Sequence, residues 1–153
     1  MDTTLIVTAN AGRARFFIDD GRAAHWQEIH DMVNEAARAR ASDLETDRMG
    51  PTSAGKSIHN TGGAVPNKTY EPAQTPEERA TDQFAREIAA YLLQSQREGR
   101  FRQLVLSAAP QFLGVLRKLL DPQLKPSLRQ ELNKDYTALG PDELRRQISQ
   151  PEG

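Results

Sequence analysis

The chain has 153 residues, 37% of them hydrophobic, with 20 basic and 21 acidic residues and a formal net charge of −1. That length supports one domain with a real core, while the charge balance gives no global pull toward polyanions. The absence of cysteine excludes disulfides, thiolate metal ligands and cysteine nucleophiles, and fits a reducing compartment.

The opening segment carries Asp2 and no basic stretch, and its apolar run Leu5-Ile6-Val7 is too short for a signal-peptide core. No run approaches the ~18 apolar residues of a membrane span. A soluble, cytoplasmic protein is expected. Thr4–Ala9, rich in β-branched residues, predicts a buried first strand. After the turn Asn10-Ala11-Gly12, Arg13–Asp19 predicts a second strand, and Asp19-Asp20-Gly21 a hairpin, because Asp and Gly tolerate positive φ. His25–Met32 predicts a third strand with an irregular apolar pattern, and the Ala/Arg-rich stretch 35–41 a short helical turn.

From Ser42 to Gln74 the pattern collapses: four glycines and three prolines stand among Ser, Thr and Asn. Such a stretch cannot bury enough apolar surface to order itself and predicts a flexible or disordered insert at about 42–74. Order resumes at Thr75-Pro76-Glu77-Glu78, a capping box with proline at the first helical position. Phe84, Ile88, Tyr91 and Leu92 then recur at helical spacing, and Glu98-Gly99 supplies a stop. Gln103–Ser107, with continuous Leu104-Val105-Leu106, predicts a strand buried on both faces. Pro110–Leu120 predicts a second helix with Phe112, Leu113, Leu116, Leu119 and Leu120 inward. Asp121-Pro122 and Lys125-Pro126 break the chain. Leu128–Asp135 is assigned as a last strand on topological grounds, and Pro141–Ile148 closes the chain as a helix. Strand-helix-strand crossovers give parallel pairing. The expected fold is α/β: a ribonuclease-H-like mixed five-stranded sheet in the order β-β-β-α-β-α-β-α, with helices on its faces, in a single domain spanning 1–153.

Several patterns invite a chemical role. Gly50-Pro51-Thr52-Ser53-Ala54-Gly55-Lys56-Ser57 matches the phosphate-binding G-x-x-x-x-G-K-[ST] letter for letter. That motif works only between a core strand and a helix N-terminus; Asp43–Met49 does not read as a core strand, and residues 58–63 cannot start a helix. A two-metal nuclease would need acids on the core strands, and neither Thr4–Ala9 nor the fourth strand carries one. Asp19 and Asp20 read as turn formers. His25 and His30, five apart, point to opposite faces of a strand, and His59 lies in the loop, so a zinc site is not expected. No cofactor or metal is expected. Trp26 and the Phe16-Phe17 pair read as core or sheet-face aromatics. Arginines fall in small groups: Arg13 and Arg15, Arg38 and Arg40, Arg97, Arg100 and Arg102, Arg117 and Lys118, Arg145 and Arg146. A solvated, balanced surface is the first account of them. A local RNA-facing patch of Arg97, Arg100, Arg102, Arg117 and Lys118 is the second.

Phe84-Ala85-Arg86-Glu87-Ile88, Leu104-Val105-Leu106-Ser107-Ala108-Ala109-Pro110 with Phe112 to Arg117, Asn133-Lys134-Asp135-Tyr136-Thr137, and Pro141-Asp142-Glu143-Leu144 occur in an order that resembles the bacterial host-attachment protein family. The opening strand and Arg13-Ala14-Arg15 resemble it too. The resemblance implies a fold similar to the middle domain of archaeal and eukaryotic peptide-release factors, where a Gly-Gly-Gln loop precedes a long helix. Here Gly62-Gly63 precede the long helix but Ala64 follows, so release by that mechanism is not implied; no catalytic residue carries over. The resulting expectation is a non-enzymatic protein that acts through contact with an unknown macromolecule, with Gly62 and Gly63 as possible loop contacts. The alternative is a translation-associated ribosome- or RNA-binding protein.

Overall fold

The computed structural model describes residues 3–39 and 73–149. Five strands form one sheet: β1 (Thr4–Ala9), β2 (Arg13–Asp19), β3 (Gln27–Val33), β4 (Gln103–Ala108) and β5 (Leu128–Leu132). Their order is β3-β2-β1-β4-β5. β2 is antiparallel to β1 and β3, whereas β4 is parallel to β1 and β5 to β4, so β2 alone is reversed. This is the mixed sheet expected, and its order and directions are compatible with a ribonuclease-H-like arrangement. The helices are α1 (Pro76–Arg97), α2 (Pro110–Leu119) and α3 (Pro141–Ser149), with a 3-10 helix at Pro122–Ser127 and a helical turn at 35–39. Among the described residues no helix is long and apolar enough to cross a membrane.

Alternation along the strands sorts side chains onto two faces. Leu5, Val7, Phe16, Leu104 and Leu106 join Phe84, Ile88 and Leu92 of α1 and Phe112, Leu113 and Leu116 of α2 in the larger core. Ile6, Phe17 and Val105 face the other way and meet Leu144 and Ile148 of α3, with Trp26 and Leu132. The adjacent Phe16 and Phe17 are both fully buried because they fall on opposite faces. β1 and β4, flanked by neighbours and covered on both faces, must be continuous apolar runs, as they are.

α1 starts and stops where its sequence dictates. Thr75 Oγ1 accepts from the Glu78 N–H at 3.0 Å, and Glu78 Oε1 accepts from the Thr75 N–H at 2.9 Å. At the other end Gly99 adopts φ +72. Its N–H donates to Gln96 O at 2.9 Å, and the Arg100 N–H donates to Ser95 O at 3.0 Å, the paired bonds of a Schellman stop.

Three assignments change. β3 begins at Gln27, not at His25. The Asp19 carboxylate accepts from the Gly21 N–H, and that of Asp20 from the N–H groups of Arg22 and Ala23. These bonds, with Gly21 at φ +81, wind the connection into a loop longer than a tight hairpin. The β2–β3 ladder is bulged between Phe16 and Phe17, with Phe16 opposite His30 and Phe17 opposite Glu28. Ile29, between these partners, is left 40% exposed, which scrambles the apolar pattern. β5 ends at Leu132 rather than Asp135, because residues 133–137 turn across the sheet edge. The Pro122–Ser127 break is a 3-10 helix, capped by Asp121 Oδ1 accepting from the Gln123 N–H at 2.8 Å. Of the insert expected at 42–74, only Ala73 and Gln74 lie among the described residues.

Candidate functional site

The carboxyl ends of parallel strands are where an open α/β sheet ordinarily places its site, at the point where successive connections diverge. Here β1 and β4 are parallel neighbours; β1 turns back into β2, and β4 leads away through α2 to β5. The crevice between them is crossed by the protein's own residues 134–137. The Ser107 hydroxyl donates to Lys134 O at 2.6 Å, and Thr8 Oγ1 accepts from the Tyr136 N–H at 3.1 Å. Both hydroxyls are fully or almost fully buried. Asn10, the first residue past β1, binds on both ends of its amide. Its Nδ2 donates to Asp135 Oδ2 at 2.8 Å and to Thr137 Oγ1 at 3.1 Å, and its Oδ1 accepts from the N–H groups of Gly12 and Arg13. Asp135 Oδ1 in turn accepts from the Thr137 N–H and hydroxyl at 2.9 and 2.7 Å.

Arg15 finishes the clamp from β2. Its NH1 donates to Thr137 O and Leu139 O at 3.0 and 2.6 Å, while Nε and NH2 grip the Glu28 carboxylate at 3.0 and 2.8 Å. The guanidinium lies 5.0 Å from the Phe17 ring centroid, a cation–π contact. A rigid fork with several directed donors is what two carbonyls and a carboxylate need. Burial pushes the Asp135 carboxyl up, but the hydrogen bonds from Asn10 and Thr137 outweigh it and hold the group below its ordinary value. Next door, the Arg13 hydrogen bonds hold Asp31 below its ordinary value, and Asp31 likewise raises Arg13.

On the α1–α2 side, the first two turns of α1 and the length of α2 flank a groove of about 670 Å³. Phe112, Val115 and Leu119 contribute its apolar lining, and Glu77, Asp82 and Lys118 line it as well. Asn34, buried, hooks the 35–39 turn to this edge: its Nδ2 donates to Ala11 O at 2.9 Å and to Ala80 O at 3.4 Å.

The basic residues singled out in the sequence separate. Arg97, Arg100 and Arg102 stay together on the α1–β4 connection, all exposed, with Arg100 paired to Glu98 at 2.9 Å. Arg117 reaches the β5 edge, where Glu131 accepts from it at 2.5 Å and raises its pKa. Lys118, one residue on, points into the α1–α2 groove beside Thr81 and Asp82. Those residues stand some fifteen positions before Arg97 on α1, roughly 20 Å along the helix, more than two Debye lengths at physiological salt. Gly62, Gly63 and the 50–57 motif lie outside the described residues. His25 sits in the β2–β3 loop rather than on a strand, with Nδ1 2.8 Å from Asp142 Oδ1, and His30 stacks on Tyr91 with centroids 4.4 Å apart. Among the described residues no three His, Asp or Glu side chains are grouped to hold a metal ion.

Sequence reasoning missed Asn10, Arg15, Asp135 and Thr137 as one unit. The pieces that carry the family resemblance, Arg13-Ala14-Arg15, Ser107 and the Asn133–Thr137 run, all meet at this edge, and that was the available signal. The family described as "Protein required for attachment to host cells" matches the chain over residues 5–148. No curated protein matches it.

Proposed function

The chain belongs to the family of proteins required for attachment to host cells, and from that premise we propose that it is a non-enzymatic protein that acts by contact with another macromolecule, in the cytoplasm. One observation carries this reading: the polar groups at the carboxyl edge are spent on holding the protein's own chain. Thr8, Asn10, Arg15, Ser107, Asp135 and Thr137 each have a partner within the fold. A general base or nucleophile must be able to turn toward a substrate, and these side chains are held in place by backbone groups and by one another. The single-domain organisation with a contact-making insert at 42–74 belongs to the same proposal.

The test is chemical cross-linking of the tagged chain in its own cells, followed by sizing. A discrete larger complex is expected. Migration as the free 17.1 kDa chain under every condition, together with turnover of an ester or phosphoester substrate, would overturn the proposal. A second reading, ribosome or RNA association akin to release-factor middle domains, draws support from the exposed arginines of the α1–β4 connection. Co-sedimentation with ribosomes that is present at low salt and lost at high salt is its expected signature; no association at low salt removes it.

A further inference from the structure

The end of the sheet opposite the filled edge has a different character. There α1 stops, the chain turns through 98–102 into β4, and the 3-10 helix runs into β5. These pieces are fastened together. Gln96 Nε2 donates to Gln123 O and Ser127 Oγ, both at 3.0 Å. The N–H groups of Arg102 and Gln103 donate to Thr3 O at 2.8 and 3.1 Å. Arg129 NH1 donates to Gln103 Oε1 at 2.9 Å.

The two stretches that build this corner, 94–104 and 121–130, hold five cations (Arg97, Arg100, Arg102, Lys125 and Arg129) and two carboxylates, Glu98 and Asp121. All five cations are exposed. Both carboxylates are engaged: Glu98 with Arg100 and with Gln94 Nε2, Asp121 as the cap of the 3-10 helix. These two stretches are therefore positive on a chain whose net charge is −1, while the carboxylates at this end of the sheet outside them, Asp19 opposite Thr4 and the neighbouring Asp20, belong to the β2 side. One of the corner's members, Lys125, comes from a segment that the sequence shows only as a break, and another, Arg129, from the start of β5.

We propose that this corner binds the phosphodiester backbone of a nucleic acid, with Arg97, Arg100, Lys125 and Arg129 as phosphate contacts. The proposal rests on the macromolecular-contact reading and gives it a partner chemistry. Four of the five cations are arginines, whose planar fork matches phosphate oxygens. The corner offers no exposed apolar anchor: Phe101 is 4% exposed and turned inward, and the exposed large hydrophobic among the described residues, Ile29, is on β3 at the far side of the sheet. Protein partners are ordinarily held by a buried apolar or aromatic centre, and membrane surfaces by an inserted apolar face. A surface that offers only charge and amides fits a phosphate chain.

The test is fluorescence anisotropy of the full chain with a labelled single-stranded RNA, an RNA hairpin and a DNA of the same sequence, between 50 and 300 mM salt. Binding at low salt with a log–log salt slope of about −3 is expected for four single-strand phosphate contacts. Arg97→Gln with Lys125→Gln should weaken binding at least tenfold and flatten the slope by about 1.4. Arg117→Gln with Lys118→Gln should leave both unchanged, with the helical signal checked for every variant. Equal affinity for RNA and DNA supports contacts to phosphate alone; a preference for RNA supports them with added contacts to the 2′-hydroxyl. No binding by the parent at 50 mM salt, an equal loss from the 117/118 pair, or displacement by polyglutamate as effective as by RNA would each overturn the proposal. A cross-linked protein partner without nucleic-acid affinity would overturn it while leaving the contact reading intact.

Discussion

Asn10 joins four groups from one short side chain: two N–H groups of its own turn, the Asp135 carboxylate and the Thr137 hydroxyl. Asn10→Ala should cost about 1–2 kcal/mol, because Asp135 loses the donor that offsets its partial burial. Denaturant unfolding measures this directly. The same logic sets a pH dependence. Asp135 and Asp31 both have folded-state pKa values below their ordinary carboxylate value, so each binds its proton less readily folded than unfolded. Their contribution is complete above the unfolded pKa and is lost as pH falls through the folded one, below about pH 4. The destabilisation caused by Asn10→Ala is therefore expected to be smaller at pH 3 than at pH 7. Equal values at the two pH would show that Asp135 is not the group Asn10 serves. Arg15→Lys keeps the charge and loses the fork; it should cost about 2 kcal/mol, since one ammonium cannot serve two carbonyls and the Glu28 carboxylate together. Unchanged stability would mean the clamp is ornamental.

At the scale of elements, α1 was readable in the sequence from cap to stop because each signal is local. Thr75, Glu78 and Gly99 act on backbone groups within a few residues, and the structure uses all three as expected. Thr75→Ala and Gly99→Ala should each lower the unfolding free energy by about 1 kcal/mol, read as a lower melting temperature; a neutral Gly99→Ala would show that the left-handed stop is not maintained in solution. β1, β2 and β4 were equally clear, since central strands must be continuous or cleanly alternating. β3 and β5 were not. Their boundaries depend on where a bulge falls and on which distant groups call the chain away, and neither leaves a local mark. Asn133–Asp135 reads as the end of the last strand until Ser107, Thr8 and Asn10 are brought beside this run from more than twenty residues off. The site was hidden for the same reason: its members come from β1, β2, β4 and the segment after β5. Lys125 was overlooked because a Pro-rich break conceals a folded 3-10 helix, which Gln96 fastens to the end of α1, and Arg129 because β5 was placed by topology alone.

Across the whole molecule the two sheet faces are unequal. One is covered by α1, α2 and the 3-10 helix, the other by α3 with Trp26 and the 136–139 segment. Leu144, fully buried, anchors the thinner side, and Leu144→Ala should cost about 2–5 kcal/mol; a smaller loss than an equivalent truncation at a surface leucine would mean α3 does not seal that face. The two ends are also unequal. The carboxyl edge is tied shut by the protein's own residues, and the amino edge presents arginines and a lysine. Family membership, a crevice filled from within and the cations at the other end are what the proposal of a protein that meets its partner by surface rests on. Amide hydrogen exchange across residues 134–139 tests that account most directly. Slow exchange at Tyr136, unaltered by nucleotides, divalent metals or small esters, is the result the account requires. Rapid exchange there, with protection conferred by any such ligand, would mean the crevice is open and contradict it.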